Sequence, residues 1–478
     1  MSGVTIGRGR RVRLIAVLAL TLVGRPAHAL YLDHGRNFVL RARAYTEVAV
    51  AADDSEPQTK PARVPFQLIS HRTFFNPEVE GKLTPYLPWR LDDLSFRLAL
   101  WGFYDGLYEY GTGQYDRARR SIKGRLSTGH TLTAPVTRTD TPIDVRTLYT
   151  YQPDPVLGDR DDLPFRVNEA YFNVAKGPLF LRLGRQTISW GESDTIATLD
   201  ANNPFNLSLG LPGIFQDIDE ARIPLWTARG TWHLFDSWGP FSGAFVEGYL
   251  VPGSIDTTVA QTPIPRVSPY SPPQDDPQSL IAGLIPPDVR DGLVQSALGG
   301  IQIGLYDRLP ARTMSNSRFG VRLSTVIARD YTTSLWYYRT FATPVPRFLP
   351  LDLSRSPLVH PKGVGPTQLV TELHHGLVDV FGISTSFFSE PLGGIVRAEL
   401  EYFRNEPAFI PSENVPFERT LRTPRLRKLL ADLGQSVAPG KLDGTIPHAD
   451  FARFEIGYDR FFFLRALNPA NSFTLVAA

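Results

Sequence analysis

The residues able to do chemistry fall into three groups. The first is a set of arginines at alternate positions in apolar stretches: Arg41, Arg43, Arg97, Arg182, Arg229, Arg322 and Arg397, with Glu47, Glu169, Glu247, Glu399 and Glu401 on matching positions. Aligned on one side of a sheet, such a ladder would bind or select anionic solutes. The same residues would equally neutralise one another in ion pairs, since acids and bases share faces. The second group crowds Arg185, Gln186, Trp190, Gly191 and Glu192 behind Gly184, a density of polar and aromatic residues that suggests a site or an anchor. The third is scattered. Asp159, Asp161 and Asp162 form an acidic loop without regular calcium-ligand spacing. His374 and His375 alternate faces on a strand and make a poor metal pair, and dispersed Ser, His and acidic residues, such as His233 with Glu247, are what a barrel hydrolase would have to use. Neither G-x-S-x-G nor the phosphate-cradling G-x-x-x-x-G-K-[ST] pattern occurs. The sequence therefore points to no catalytic residues, no metal ligands and no cofactor.

The elements that must position these residues are strands. Phe38, Leu40, Ala42, Ala44, Thr46 and Val48 alternate with Arg41, Arg43, Tyr45 and Glu47. This period-two run is about as long as the 9 to 11 residues a tilted strand needs to cross a bilayer. Similar alternation appears at Phe96–Trp101, Val167–Val174, Leu179–Gly184, Trp226–His233, Ala244–Leu250, Phe319–Ser324, Ser334–Phe341, Val378–Phe388, Ile395–Phe403 and Phe451–Tyr458. Lys176-Gly177-Pro178, Ala328-Arg329-Asp330 and Ser389–Gly394 make short turns. Long Pro-, Asp- and Arg-rich connections cover residues 53–65, 117–163, 252–316, 344–365 and 406–450, with helical spacing at Pro286–Leu298 and Arg425–Leu433. Aromatic clusters at Trp101, Phe103 and Tyr104, at Trp336–Tyr338 and at Phe461–Phe463 suit interfacial girdles.

Four arginines (Arg8, Arg10, Arg11, Arg13) precede the apolar run Leu14–Val23 and the Ala27-His28-Ala29 site, the pattern of a secretory signal peptide over residues 1–29. Without it, five of the 50 basic residues are lost and 45 remain against 48 acidic ones, so nothing in the charge favours nucleic acid. There is no cysteine, hence neither disulfide nor thiolate site. No later apolar run is long enough for a membrane helix, so a membrane form must use strands, and strands span only as a closed sheet.

The run RLGRQTISWGESDTI (Arg182–Ile196), then Asn203-Pro204, Leu211-Pro212-Gly213 and Arg222-Ile223-Pro224, resembles a Gram-negative outer-membrane family known as a domain of unknown function. NEAYFNV, GPLFLRLGRQ, VEGYLVPG, AELEYFRNEP and GYDRFFFLRALNP extend the resemblance over most of the chain. It implies a porin-like barrel, akin to the alginate-export type, that passes a hydrophobic or poorly soluble compound, and it implies no catalytic residues.

The expectation is thus an all-β fold over residues 30–478: an antiparallel transmembrane β-barrel of the cell outer membrane with long extracellular loops. Residues 187–213 fold inward, anchored by Gly184, Arg185, Gln186, Trp190, Gly191 and Glu192. Because the family continues past the LNP motif while this chain stops at Ala478, the barrel is expected to be incomplete at its C-terminus. The expected function is a porin-like channel or transporter for a small solute, the alternatives being a structural or adhesion barrel and a barrel-embedded hydrolase. Its partners would be outer-membrane lipid, lipopolysaccharide and the barrel-assembly machinery.

Overall fold

The computed structural model describes residues 30–50, 68–86, 90–105, 135–137, 165–191, 202–206, 218–260, 301–343, 345–348, 367–408, 446–462 and 473–477. Its strands in chain order are β1 (Leu30–Tyr31), β2 (Phe38–Val50), β3 (Leu68–Lys82), β4 (Asp93–Asp105), β5 (Pro135–Thr137), β6 (Phe165–Lys176), β7 (Leu179–Gln186), β8 (Leu225–Trp238) and β9 (Phe241–Val251). They continue with β10 (Ile301–Arg308), β11 (Arg318–Ile327), β12 (Tyr331–Phe341), β13 (Val345–Phe348), β14 (Thr367–His374), β15 (Leu377–Ser389), β16 (Gly394–Pro407), β17 (His448–Phe462) and β18 (Phe473–Ala477). One four-residue helix, α1 (Ile218–Ala221), lies between β7 and β8. Among the described residues no helix is long and apolar enough to cross a membrane, which has no bearing on strands.

Fourteen strands form one antiparallel sheet in the order β1-β2-β3-β4-β6-β7-β8-β9-β11-β12-β15-β16-β17-β18. Each strand pairs with the next one of the sheet, so the fold is an all-β meander of barrel-like type. Connections alternate in length. The β6–β7, β8–β9, β11–β12 and β15–β16 turns are tight, while β2–β3, β4–β6, β7–β8, β9–β11, β12–β15 and β16–β17 are long and all leave from the opposite end. In the β11–β12 turn Ala328 and Arg329 take φ of 51° and 73°, the left-handed pair that a tight hairpin demands. Beside β1, the turn carboxylate Asp33 accepts the Phe38 N–H at 2.9 Å, and this backbone donor holds its carboxyl below the usual carboxylate range.

Alternation sorts the side chains as the sequence pattern predicts. Arg41, Arg97, Arg229, Glu247, Arg322, Glu399 and Glu401 lie on one face, which also carries buried Tyr249, Trp336, Tyr338, Val378 and Val380. The other face is apolar and open. Leu179, Trp232, Val246, Leu323, Leu335, Ile383, Leu400 and Phe454 are successive cross-strand partners, an unbroken row across eight strands. Leu335, Ile383, Leu400 and Phe454 are between 42% and 64% exposed, so this apolar face is not covered by other described parts of the chain.

Aromatics border this face. Tyr337, Phe381 and Tyr402 form an arc with ring centroids 5.0 and 6.5 Å apart. The Tyr337 hydroxyl donates to Asp379 at 3.0 Å and the Tyr402 hydroxyl to Asp450, so the rings lie toward the apolar row and their hydroxyls toward charge. At the tight-turn end Tyr331 lies 5.0 Å from Phe387, and Trp238 lies 6.4 Å from Phe241. Of the Trp336–Tyr338 cluster, only Tyr337 faces outward; Trp336 and Tyr338 are buried on the inner face, because neighbours on a strand point to opposite sides.

Two features correct the pattern-based reading. Strand β3 escapes period-two recognition because Asn76 and Pro77 interrupt it. There its pairing with β2 continues (Ala42 opposite Pro77), while its ladder with β4 skips residues 76 and 77, as a residue lacking N–H requires. The regions 117–163, 252–316 and 344–365 are also not without regular structure. They contribute β5, β10 and β13, which with β14 form a four-stranded mixed sheet, β10 running parallel to both β14 and β5. The helical spacing at Pro286–Leu298 and Arg425–Leu433 lies outside the described residues.

Candidate functional site

The site starts where β7 leaves the sheet. Gly184 has φ of 133°, and a Cβ there would lie 2.2 Å from the Ala170 carbonyl oxygen, so no other residue fits between β6 and β7. Arg185, 4% exposed, donates its Nε to the Val167 carbonyl at 3.2 Å. Gln186, fully buried, donates its amide to the Thr227 carbonyl on β8 at 3.0 Å. Both side chains tie the end of β7 to its neighbours, after which the chain turns to the inner face. Gly191 follows Trp190 outside any regular element, and Glu192 lies outside the described residues.

Asn203 clasps the two limbs of this inward segment. Its Oδ1 accepts the Ile188 N–H at 2.8 Å and its Nδ2 donates to the Ile223 carbonyl at 2.8 Å. The Ile223 N–H returns to Pro204 at 2.8 Å and the Asn206 N–H to Ala221 at 2.7 Å. With Asn203 1% exposed, Asn203→Ala strands two buried backbone groups, an expected loss of about 2 kcal/mol. A lowered midpoint in urea unfolding of the refolded protein is the measure.

Trp190 is the main anchor. Its ring packs edge-on against Tyr249 of β9 at 5.0 Å and against Trp336 and Tyr338 of β12, each at 6.4 Å. Gly320 of β11 makes the space: a Cβ there would come within 2.9 Å of Trp190 and 2.6 Å of Tyr249. Pattern reading did not single out Gly320, since a glycine on an alternating strand carries no signal of what fills the gap.

The Trp190 indole N–H donates to one oxygen of Glu247, which is 2% exposed. The other oxygen accepts Arg229 at 2.6 Å and the Thr231 hydroxyl at 3.1 Å, and Arg322 stands 3.5 Å from the first. Three hydrogen bonds and the Arg322 charge engage both oxygens of the carboxylate, which makes Glu247 the counter-ion of this cluster. His233 contacts Asp236 at 2.8 Å instead of Glu247. Among the described residues no group of three or more His, Cys, Asp or Glu is gathered as for a metal ion.

A second anchor reaches across the concave side. Glu220 of α1, 7% exposed, accepts the Tyr45 hydroxyl and lies 3.7 Å from Arg43, both on β2. Trp190 and Glu220 belong to one clasped segment, yet they touch β9–β12 and β2 respectively. The sheet therefore curls around the segment. At the foot of the β9–β11 connection a further fixture appears that pattern reading missed. Asp256, fully buried, accepts the Trp226 N–H at 2.9 Å and the Thr258 N–H at 2.8 Å, with Arg318 at 3.5 Å.

The other inner-face arginines are placed as follows. Arg41 pairs with Glu80 at 2.7 Å and Glu78 at 3.4 Å; Arg97 pairs with Glu78 at 2.7 Å, Glu80 at 3.1 Å and Glu169 at 3.2 Å. Arg397 meets Asp459 at 2.7 Å, and Arg182 donates to Asn173 at 2.8 Å. Charge neutralisation thus accompanies most of the ladder. Exposure differs by sector: Arg41, Glu78, Glu80 and Arg97 on β2–β4 keep partly open side chains, while Glu247, Glu399 and Glu401 are buried. The described limbs of the inward segment carry Trp190 to β9–β12 and Glu220 to β2, while Arg41, Arg97 and Arg182 on β2, β4 and β7 stay partly exposed.

Over residues 10–476 the chain matches the family described as a protein of unknown function, DUF1302. No curated protein matches it.

Proposed function

The chain belongs to the DUF1302 family, whose description assigns no activity, and from the geometry we propose that it is an outer-membrane barrel passing a small solute through a lumen narrowed by the segment after Trp190. The observation that carries this reading is the eight-strand row of exposed apolar partners from Leu179 to Phe454, bordered by aromatics at both ends. Between Tyr331 and Arg339 one strand of this face runs about 27 Å at ~3.4 Å per residue, which a tilt of about 40° projects to about 21 Å, close to the apolar band of roughly 25 Å on outer-membrane barrels. At its upper limit Arg339 and Asp379, 2.9 Å apart on the outer face, mark a return to polar surroundings. The long connections all leave one end, as extracellular loops do, and residues 1–29 supply the export signal. Outer-membrane lipid, lipopolysaccharide and the barrel-assembly machinery are the corresponding partners.

What supports passage is the group of partly exposed polar side chains, Arg41, Glu78, Glu80, Arg97 and Arg182, on the inner face of β2–β7. The test is single-channel conductance of the refolded chain in planar bilayers. A folded, heat-modifiable protein that conducts neither as wild type nor after removal of Leu199–Leu211 would overturn it. The mixed sheet of β5, β10, β13 and β14, built from three long connections, favours one second reading, a barrel that displays an adhesive or structural platform. That reading gains if conductance is absent.

The membrane part has its own test. Ile383→Lys puts a charge between Leu335 and Leu400 in the middle of the row, at an expected cost of about 2–4 kcal/mol for a midplane cation. Ser386→Lys, on the inner face, should leave insertion into lipid vesicles intact. Equal insertion of both variants counts against a lipid-facing belt.

A further inference from the structure

The inner-face arginines are not equivalent. Arg41 and Arg97 share Glu78 and Glu80, Arg229 and Arg322 share Glu247, Arg43 has Glu220 and Arg397 has Asp459. Arg182 alone of the seven has no carboxylate within 4.0 Å among the described residues. It is placed directly opposite Arg229 across the β7–β8 ladder. Like charges directly opposite one another destabilise a sheet, and the acids near them are engaged elsewhere: Glu247 accepts three hydrogen bonds and Glu169 pairs with Arg97 at 3.2 Å.

The surroundings of Arg182 hold it in a definite orientation. Its Nε donates to Asn173 Oδ1 at 2.8 Å, and Asn173 is itself fixed by donating to the Ser95 hydroxyl at 3.2 Å. The guanidinium carbon lies 4.2 Å from the centroid of Tyr171 and 5.7 Å from that of Phe180. A guanidinium stacked on a ring and held at Nε keeps its two Nη groups as a fork, which matches the two oxygens of a carboxylate. Phe180, half-buried, puts aromatic surface beside that fork, while Tyr171, 8% exposed, backs it from within. Arg182 itself is half-buried on the inner face.

We propose that Arg182, oriented by Asn173 and Tyr171 and backed by Arg229, is the anion-recognition point of the lumen, and that it takes a small organic carboxylate with an apolar body. The carboxylate forks onto the Nη groups and the body lies along Phe180. This deepens the channel reading by naming a solute class, and rests on that reading for the entry of solute into the lumen. Formation of the fork relieves the Arg182–Arg229 repulsion, so binding and local stability rise together.

The test is equilibrium binding to the full chain refolded in detergent, observed on the ligand by NMR, with benzoate, its uncharged isostere benzamide, and inorganic phosphate as probes. Benzoate is expected to bind wild type, to lose at least tenfold in affinity in Arg182→Gln, and to lose several-fold in Arg182→Lys, which keeps the charge and removes the fork. Lys176→Gln, at the exposed β6–β7 turn, should bind as wild type does. Undiminished binding to Arg182→Gln overturns the proposal, as does benzamide binding as tightly as benzoate. Phosphate displacing benzoate at equal concentration overturns the apolar-body part. Because this binding needs no conductance, a negative bilayer result leaves it standing, and a negative binding result leaves the pore standing.

Discussion

Trp190→Ala will detach the inward segment from the wall. The ring is 1% exposed and surrounded by Tyr249, Trp336, Tyr338 and the Gly320 backbone, so truncation leaves a large cavity and costs about 3–5 kcal/mol. Loss of the clamp should appear as a higher and noisier single-channel conductance together with a lower unfolding midpoint. Trp190→Phe separates the two contributions, since it keeps most of the packing and removes the indole N–H to Glu247. Its expected cost is about 1.5–3 kcal/mol, the range for a hydrogen bond to a charged group. Gly320→Val approaches the same space from the strand side, where even a Cβ comes within 2.9 Å of the Trp190 ring. It should give the Trp190→Ala conductance with the tryptophan still present. Wild-type conductance and midpoint in both Trp190→Ala and Gly320→Val would mean that the segment is not held this way.

Glu247→Gln should have an effect of similar size by another route. The carboxylate is 2% exposed and holds Arg229 and Arg322 at 2.6 and 3.5 Å; neutralising it leaves two guanidiniums close together without a counter-charge. Removing one partner of a buried pair typically costs 3–5 kcal/mol, about as much as the whole Trp190 side chain. The signature differs, however. A positive excess in the lumen should move the reversal potential in a salt gradient toward anion preference, which Trp190→Ala should not do. Combining Glu247→Gln with Arg322→Gln removes one stranded cation and should recover part of the lost stability. Additive losses in that pair would show that the contact at 3.5 Å carries no coupling.

Much of this was legible in the amino-acid order because a strand has a period of two. Phe38 to Val48 against Arg41 to Glu47, or Arg397, Glu399 and Glu401 against Ala398, Leu400 and Tyr402, assign faces with no knowledge of neighbours. The turns at Lys176–Pro178 and Ala328–Asp330 were legible for a similar reason, since their backbone needs are local. Strand β3 was not, because Pro77 breaks the pattern while the pairing with Ala42 on β2 persists through tertiary context. The mixed sheet of β5, β10, β13 and β14 was not legible either: its strands are short and its parallel pairings join segments far apart in the chain.

The sequence by itself determined which side chains share a face, where the tight turns lie, and that something unusual follows Gly184. Those properties depend on spacing along one chain. Which arginine meets which acid depends on register between strands, and only the tertiary structure decided that Glu247 would be filled by Trp190, Arg229, Thr231 and Arg322. The same holds for Glu220 reaching Tyr45 across the concave side and for Arg182 standing opposite Arg229 with no carboxylate in reach among the described residues. A ladder of seven alternating arginines reads as uniform along the chain; among the described residues folding gives six of them acidic partners and makes the seventh distinct.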